Sequence, residues 1–442
     1  MVKKNIYVVG LGFVGYPLFV YLVNRFKNSS HFNKIFAIEK KRKGFQKIKK
    51  KIKKGIPLFY SLDKKLNKLA KTKSTKSSII SDKINNQISG VVLICVNFNN
   101  LSDLKNLKNL VSKIAKVITE GSTLIIETTL IPGTCEKILY PIFKEELLKR
   151  KLDHKKVYFG YSYERVMPGK DYLNSIINNY KSISGINKNS LIEIDNFYKK
   201  FLNFKKYRIT KFSKITECEA AKILENTYRA VNIALIDEWS KFAYKTGLNL
   251  NKIIDSIKVR STHNNLMRPG IGVGGYCLTK DPKFSKISAS KIFKVNNEFP
   301  ITSESIRINK KMPLFTKKFI LKKIKGQKTK KLLIVGYTYK NDVSDTRLSA
   351  VLSLRKNLNK HFKTITMLDP TIDKNFNVKL KEELKKNDVI LFCIKHTNLK
   401  KLNFKNLNFK HKVFDLDYVL SLKQIKYLKS QKVDFFQIGK FN

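Results

Sequence analysis

Gly10-Leu-Gly-Phe-Val-Gly15 stands between an apolar run, Asn5–Val9, and a helical pattern, Tyr16–Phe26. A strand that ends in such a turn and passes at once into a helix points to the first βαβ unit of a doubly wound parallel sheet. The first glycine permits the tight turn, the second lets a pyrophosphate come close, and the third lets the helix pack near the strand. Phe13 and Val14 complete the turn, and amides at the helix N-terminus would receive the pyrophosphate. The second apolar run, Ile35–Ile38, ends at Glu39, where an acid accepts ribose hydroxyls; that favours NAD over NADP. The basic run Lys40–Lys43 follows directly, and cations there could instead hold a 2′-phosphate.

Apolar runs recur at Val91–Val96 and Leu124–Glu127, with helical patterns between them. Short buried strands alternating with helices predict a parallel sheet covered on both faces. Thr216–Lys245 is helical in pattern for about eight turns, without Gly or Pro. Its middle, Ala230 to Ile236, is apolar almost all round, which predicts burial on most sides as a spine, a dimer interface, or both. Trp239 lies on this helix and is expected to pack. Ile301–Ile324 reads as a helix and Lys325–Lys331 as a polar linker. Strands are expected at Leu332–Val335, Thr364–Leu368, Val389–Ile394 and Val413–Leu416. The expected fold is α/β: two Rossmann-like doubly wound parallel-sheet domains joined by a long central helix. The boundaries fall at 1–205, 206–309 and 310–442. The Lys-rich stretches 40–54 and 71–78 read as solvated surface.

Composition matters at two points. The formal charge of +57 invites a nucleic-acid reading, but only 11 of the 90 basic residues are Arg, and the Lys are spread along the chain. Base and phosphate recognition favours Arg, so the excess reads as compositional bias and no nucleic acid is expected. A basic surface still attracts anionic ligands. The five cysteines (Cys95, Cys135, Cys218, Cys277, Cys393) form no CxxC pair and no Cys/His cluster. Neither a disulfide framework nor a metal site is expected, and a reducing cytoplasm fits. The apolar N-terminal run is broken by Gly10, Gly12, Gly15 and Pro17, unlike a signal peptide. No stretch is long and apolar enough to span a bilayer, so no membrane is expected.

Pro269-Gly-Ile-Gly-Val-Gly-Gly-Tyr-Cys277-Leu-Thr-Lys-Asp281-Pro282 carries the most chemistry. Gly270, Gly272, Gly274 and Gly275 make a loop able to approach a ligand, closed by one thiol and followed by one acid. A glycine-rich turn around a buried Cys fits the same residues. Lys222 and Asn226 are four apart, on one helical face that Arg229 continues; side by side they could donate to an oxyanion, or belong to a solvated face with a Glu225–Arg229 contact. Glu127-Thr128-Thr129-Leu-Ile-Pro-Gly-Thr134 ends a strand, where ligands bind. Ser162-Tyr-Glu164-Arg165-Val-Met-Pro-Gly169 supplies an acid, a base and a turn. Gly336-Tyr-Thr-Tyr-Lys340-Asn-Asp-Val-Ser-Asp-Thr-Arg347 follows the first strand of the second sheet.

Together these segments resemble the UDP-glucose/GDP-mannose dehydrogenase family of nucleotide-sugar 6-dehydrogenases, from Gly10 to the C-terminal sheet. Glu219–Asn232 and Gly272–Pro282 carry the longest agreement. The resemblance implies an N-terminal NAD domain, a central dimer-forming region and a C-terminal domain holding the nucleotide diphosphate. It implies Cys277 as nucleophile, Lys222 and Asn226 as the oxyanion pair, Asp281 as the acid working with that Lys, Glu164 as the base of the late hydrolysis, and Thr129 as the residue orienting water. Lys340 matches a substrate-contacting lysine. Arg165 and Gly274 are placed with the substrate, Thr128 with the cofactor, and Arg260 matches an arginine reaching into a partner subunit's site. The implied chemistry takes a primary alcohol to a carboxylate through a thiohemiacetal and a thioester on Cys277, with two NAD reduced. A lysine beside the sulfur would favour the thiolate.

The chain departs from the family pattern at Asn97-Phe98, where a Thr-Pro is usual. It departs again at Tyr163 for Pro and at Tyr276 for His, and the acid expected after the Gly55/Pro57 segment is missing or displaced, with Ser61 nearby. Glu164-Arg-Val-Met-Pro-Gly169 resembles the branch acting on UDP-N-acetylglucosamine or UDP-N-acetylmannosamine; a UDP-glucose or GDP-mannose enzyme is the alternative. The expected product is a uronic acid for a surface polysaccharide, made by a homodimer. Three other readings compete: an inactive nucleotide-sugar-binding regulator, a two-electron dehydrogenase with a structural Cys277, and a nucleic-acid binder.

Overall fold

The computed structural model describes residues 4–41, 44–324, 330–405 and 407–441. Arg42 and Lys43 of the basic run and residues 325–329 of the expected linker lie outside them. The chain divides into two units, Met1–Glu225 with Lys283–Glu298, and Asn226–Pro282 with Phe299–Asn442.

The first unit is built on an eight-stranded sheet. Its strands are β1 (Lys4–Val9), β2 (Phe32–Ile38), β3 (Ile79–Ser81), β4 (Gly90–Ile94), β5 (Thr123–Ile126), β6 (Tyr158–Tyr163), β7 (Lys181–Gly185) and β8 (Ile209–Phe212). They lie in the order β3-β2-β1-β4-β5-β6-β7-β8. Every neighbouring pair is parallel except β6 and β7. The first six strands follow the 3-2-1-4-5-6 order of dinucleotide-binding folds. Alternation along β1 sends Ile6 and Val8 to the core on one face and Tyr7 and Val9 to the core on the other. A strand buried on both faces therefore reads as a continuous apolar run.

The glycine turn behaves as its spacing predicts. Gly10 has φ +93°, which an L side chain rarely adopts, and its amide donates to Ile38 O at 2.8 Å. A Cβ on Gly15 would lie 1.9 Å from the Gly10 carbonyl oxygen, whereas one on Gly12 would meet nothing nearer than Asn97 Oδ1 at 4.0 Å. Gly15 thus closes helix against turn, and Gly12 keeps its outer side open.

The second unit carries a five-stranded parallel sheet: β9 (Lys331–Val335), β10 (Thr364–Leu368), β11 (Val389–Phe392), β12 (Lys412–Asp415) and β13 (Asp434–Gln437), in the order β10-β9-β11-β12-β13. The helix Pro300–Ile324 covers one face through Met312, Phe315, Phe319 and Ile320.

Several expectations are corrected. Strands β3, β6, β7, β8 and β13 went unforeseen, being short or carrying Ser, Tyr and Lys. Val91–Val96 and Leu124–Glu127 stop being strand at Ile94 and Ile126, and their last residues form the carboxyl-end loops. The stretch 40–54 is not plain surface: Phe45–Lys53 is a helix that buries Phe45 and Ile52. The long helix runs Ile215–Thr246 but is not buried all round. Leu224 is 69% exposed, Leu235 49% and Trp239 47%, with Tyr228 and Phe242 on the same stripe. Trp239 packs only edge-on against Phe242. Among the described residues no helix is long and apolar enough to cross a membrane.

A Gly15→Ala substitution should displace the turn, since the added carbon has nowhere to go. We expect a loss of about 1–3 kcal/mol, read as a Tm lowered by roughly 3–10 °C together with weakened NAD binding by titration. An unchanged Tm and affinity would contradict the packing role.

Candidate active site

At the carboxyl end of the first sheet, Glu39 is buried and its Oε2 accepts the Leu11 amide at 2.8 Å. The acid thereby fixes the glycine turn from the end of β2. Phe13 stacks on Phe59 at 4.4 Å, and its carbonyl accepts the Tyr172 hydroxyl. Val14 caps the helix Gly15–Arg25 without a side-chain bond. The Thr128 hydroxyl is spent on backbone, donating to Val96 O at 2.8 Å; Thr129 beside it is half-buried. Phe98 is buried edge-on against Phe284. The loop that departs from the family pattern is thus anchored by an aromatic pair. An open Gly12, a turn-bound acid and strand-end threonines suit a dinucleotide.

Asp63 follows the Gly55/Pro57 segment. It is buried, caps the helix Lys64–Ala70 through Leu66 N at 2.9 Å, and accepts Leu173 N at 2.7 Å. Sequence reasoning did not single it out.

In the same unit, the Lys222 ammonium donates to Glu164 O at 2.9 Å and lies over the Tyr163 ring at 5.3 Å. Arg165 also stacks on Tyr163, at 4.7 Å, and pairs with Glu225 at 2.8 Å; its other nitrogens reach Tyr180 O and Tyr163 Oη. Tyr163 in place of the usual Pro therefore serves as a platform for two cations. Glu225 is taken up by Arg165, and Arg229 turns to Asn226. The Glu164 side chain is 9% exposed and ion-paired with Lys181 from β7, a residue that sequence reasoning missed.

Within the second unit, Cys277 opens the short helix Tyr276–Lys280 and is exposed. Downstream, Asp281 is fully buried, pairs with Lys280 and accepts Asn226 Nδ2 at 2.7 Å; Asn226 Oδ1 accepts Arg229 at 3.0 Å. This relay fixes which end of the Asn226 amide points where. Lys340 and Tyr339 lie in the same electrostatic neighbourhood. Burial and the adjacent Arg229 lower the Lys340 pKa, while burial and Cys277 push the Tyr339 hydroxyl up to about 12. Tyr276, the other departure, lies under the Arg347 guanidinium at 4.4 Å, and Arg347 is gripped by Asp345 at 2.9 and 2.7 Å. The glycines of the loop approach the chain itself. A Cβ on Gly275 would lie 2.4 Å from the Tyr339 ring, and one on Gly274 2.9 Å from Leu348 O. Arg260 is exposed at the start of the turn Ser261–His263. Among the described residues no His/Cys/Asp/Glu group could hold a metal.

A dinucleotide-binding sheet with the 3-2-1-4-5-6 order, a second parallel sheet and an exposed thiol on a glycine loop define the class: a two-sheet protein of dehydrogenase type. Residues 4–202 match the NAD binding domain of the UDP-glucose/GDP-mannose dehydrogenase family, 216–311 its central domain and 333–422 its UDP binding domain. The chain belongs to this family. It is 33% identical over 260 residues to a UDP-N-acetyl-D-mannosamine dehydrogenase of Methanococcus maripaludis, covering 58% of this chain and 55% of that one. With the namesake of Methanococcus vannielii it shares 31% over 355 residues, 78% of this chain and 75% of that one. The chain thus spans about half the length of the first relative and three quarters of the second. The solved structure of the UDP-D-ManNAc dehydrogenase from Pyrococcus horikoshii superposes with a TM-score of 0.80 at 25% identity, covering 99% of this chain and 100% of that one.

Glu219, in the segment of longest family agreement, is fully buried and accepts the amides of Gly133 at 2.6 Å and Cys135 at 3.0 Å. Burial pushes its carboxyl up to about 8, against those hydrogen bonds, which pull it down. The folded state then holds this proton more firmly than the unfolded one. The contribution is fully present below pH about 4.5 and is lost as pH rises through about 8. Denaturant titrations from about pH 5 to 8.5 should show wild type losing stability relative to Glu219→Gln as pH rises. A pH-independent difference would refute the protonated carboxyl.

Proposed function

We propose that this chain is an NAD-dependent nucleotide-sugar 6-dehydrogenase that oxidises the C6 hydroxyl of a UDP-N-acetylhexosamine to the carboxylate. The observation that carries the covalent chemistry is the setting of Cys277. It alone of the five cysteines is exposed; the other four are buried, and burial raises their thiol pKa values. UDP-N-acetylmannosamine is the favoured donor, because the relatives described above bear that activity in their names. UDP-N-acetylglucosamine comes next, and UDP-glucose and GDP-mannose are the alternatives. The uronic acid suits synthesis of a surface polysaccharide in the cytoplasm.

Glu39 and the Gly10–Gly15 turn, with Phe13, Val14 and Thr128, would hold NAD, which when bound takes up the hydride at each of the two oxidations. The Cys277 thiolate adds to the C6 aldehyde, and the resulting oxyanion is met by donors on Lys222 and Asn226. Asp281 orients the Asn226 amide. Glu164 takes the proton of the water that opens the thioester, and Thr129 orients that water. Lys340, Arg165 and Gly274 serve the substrate, with Arg260 reaching a partner subunit. Retention on the sulfur keeps the aldehyde from escaping. The three regions 1–205, 206–309 and 310–442 divide the work into cofactor, thiol with dimerisation, and nucleotide. The exposed stripe Leu224, Tyr228, Leu235, Trp239 and Phe242, spaced by three, four or seven residues, supports a homodimer, since so much apolar surface on one helix is costly in water.

NADH release should be followed with a panel of UDP- and GDP-sugars, for wild type and Cys277→Ala. Two NADH per sugar with one donor, abolished by the substitution, is the expected result. One NADH per sugar would indicate a two-electron enzyme, and binding without NADH a regulator.

A further inference from the structure

Lys181 opens β7, a strand buried along its whole length. Its side chain is 5% exposed, and it meets two carboxylates that are as well hidden: Glu127 at 0% and Glu164 at 9%. The ammonium pairs directly with Glu164 and lies 3.3 Å from Glu127 Oε1. Burying one cation and two anions is costly unless each is paired, and this cluster pairs all three. Glu127, at the end of β5, has further donors of its own: the Tyr198 hydroxyl and, weakly, the Cys95 thiol at 3.9 Å. Lys181 also lies 4.7 Å above the Tyr198 ring. The charged and titratable groups facing it are thus Glu127 after β5, Glu164 after β6, Cys95 after β4, Tyr198 from the helix Lys188–Lys199 and Cys218 from the long helix. Glu127 is supplied from several sides; among the described residues, Glu164 draws its one side-chain ion pair from Lys181. The lysine is therefore anchored through Glu127 and used on Glu164.

We propose that Lys181 is a positioning residue that holds the Glu164 carboxylate ionised and aimed at the hydrolytic water, with Glu127 anchoring Lys181 in turn. The inference rests on the reading of Glu164 as the base of the hydrolysis. In that step a water proton passes to Glu164 and the water oxygen bonds the acyl carbon. The carbon–sulfur bond breaks, and its electron pair returns to the Cys277 sulfur. Without the ammonium, Glu164 would sit beside Glu127 with no buried cation between them, and like charges at short range disfavour ionisation. Burial already lowers the Lys181 pKa, opposed by Glu127, so the cluster has little charge to spare.

The test uses the full chain with NAD and UDP-N-acetylmannosamine. It follows the NADH burst, the mass of the acyl-enzyme after acid quench, and the pH dependence of steady-state turnover. Lys181→Met should keep the burst, slow hydrolysis about 10- to 100-fold, accumulate acyl-enzyme, and move the rising limb of the pH profile upward. Lys181→Arg should recover most of the rate. Wild-type hydrolysis and an unmoved limb in Lys181→Met would overturn the proposal; so would loss of burst and hydrolysis together with no rescue by Arg, which marks a purely structural lysine. Glu164→Gln runs alongside: if it hydrolyses at the wild-type rate, the base reading itself fails, whatever Lys181 does. If Lys181→Met does not fold, Tyr198→Phe decides. Loosening Glu127 should move the same limb with the burst intact, and an unmoved limb overturns the proposal.

Discussion

Both sheets depend on one hydrogen bond: the carboxylate that ends the second strand accepts the amide of the turn that leaves the first. In the first unit Glu39 takes Leu11 N at 2.8 Å. In the second unit Asp369 takes Tyr337 N at 2.8 Å and Thr338 N at 3.1 Å. The surroundings repeat. Gly10 and Gly336 both have positive φ, and their amides bond Ile38 O and Leu368 O at 2.8 and 2.7 Å. Cys95 N and Cys393 N reach back to Val9 O and Val335 O at 2.8 and 2.9 Å. What differs is the work left for the acid. Asp369 is enclosed by Thr338, Thr371 and the buried His396, whose Nδ1 accepts Asp342 N at 2.9 Å and so presents Nε2 to the carboxylate at 3.1 Å. Burial opposes the charge on Asp369, but these bonds prevail and hold its pKa below the ordinary carboxylate range. The first copy leaves the outer side of Gly12 open, and the second is turned inward to stiffen the loop that carries Lys340.

That repetition explains which features were legible in the sequence. A glycine turn after an apolar run and an acid at the end of the next are local patterns, so the first sheet's centre could be placed from residues 5–39 alone. The face shared by Lys222 and Asn226 was equally local, since helical periodicity links positions four apart. What stayed hidden were partnerships across the sheet. Lys181 sits in Lys-Ser-Ile-Ser-Gly, which looks like a solvated edge; only its neighbours Glu127 and Glu164, more than fifteen positions away, turn it into an interior ion pair. Asp63 escaped because one of its two bonds is to a distant amide, Leu173 N. The long helix left its cover open. An apolar circumference predicts burial, yet one chain leaves Leu224, Leu235 and Trp239 in water, and sequence does not say whether the cover is intramolecular.

The departures from the family pattern follow a common physical logic. At Tyr163 and at Tyr276 the chain places an aromatic ring, and each ring is overlaid by cations: Lys222 and Arg165 on the first, Arg347 on the second. A ring face attracts a cation without neutralising it, which costs less mobility than a second carboxylate would and leaves the charge available to an anion. Phe98 takes the third departure into the core against Phe284. In a chain with 90 basic and 33 acidic residues, carboxylates are scarce, and several of the buried ones are committed to turns, caps and the Lys181 cluster. Aromatic faces then share the orienting with acids, since Arg165 also pairs with Glu225 and Arg347 with Asp345. Within each unit, then, the departing residue is packed into a defined contact: Tyr163 under Lys222 and Arg165, Phe98 against Phe284, and Tyr276 under Arg347.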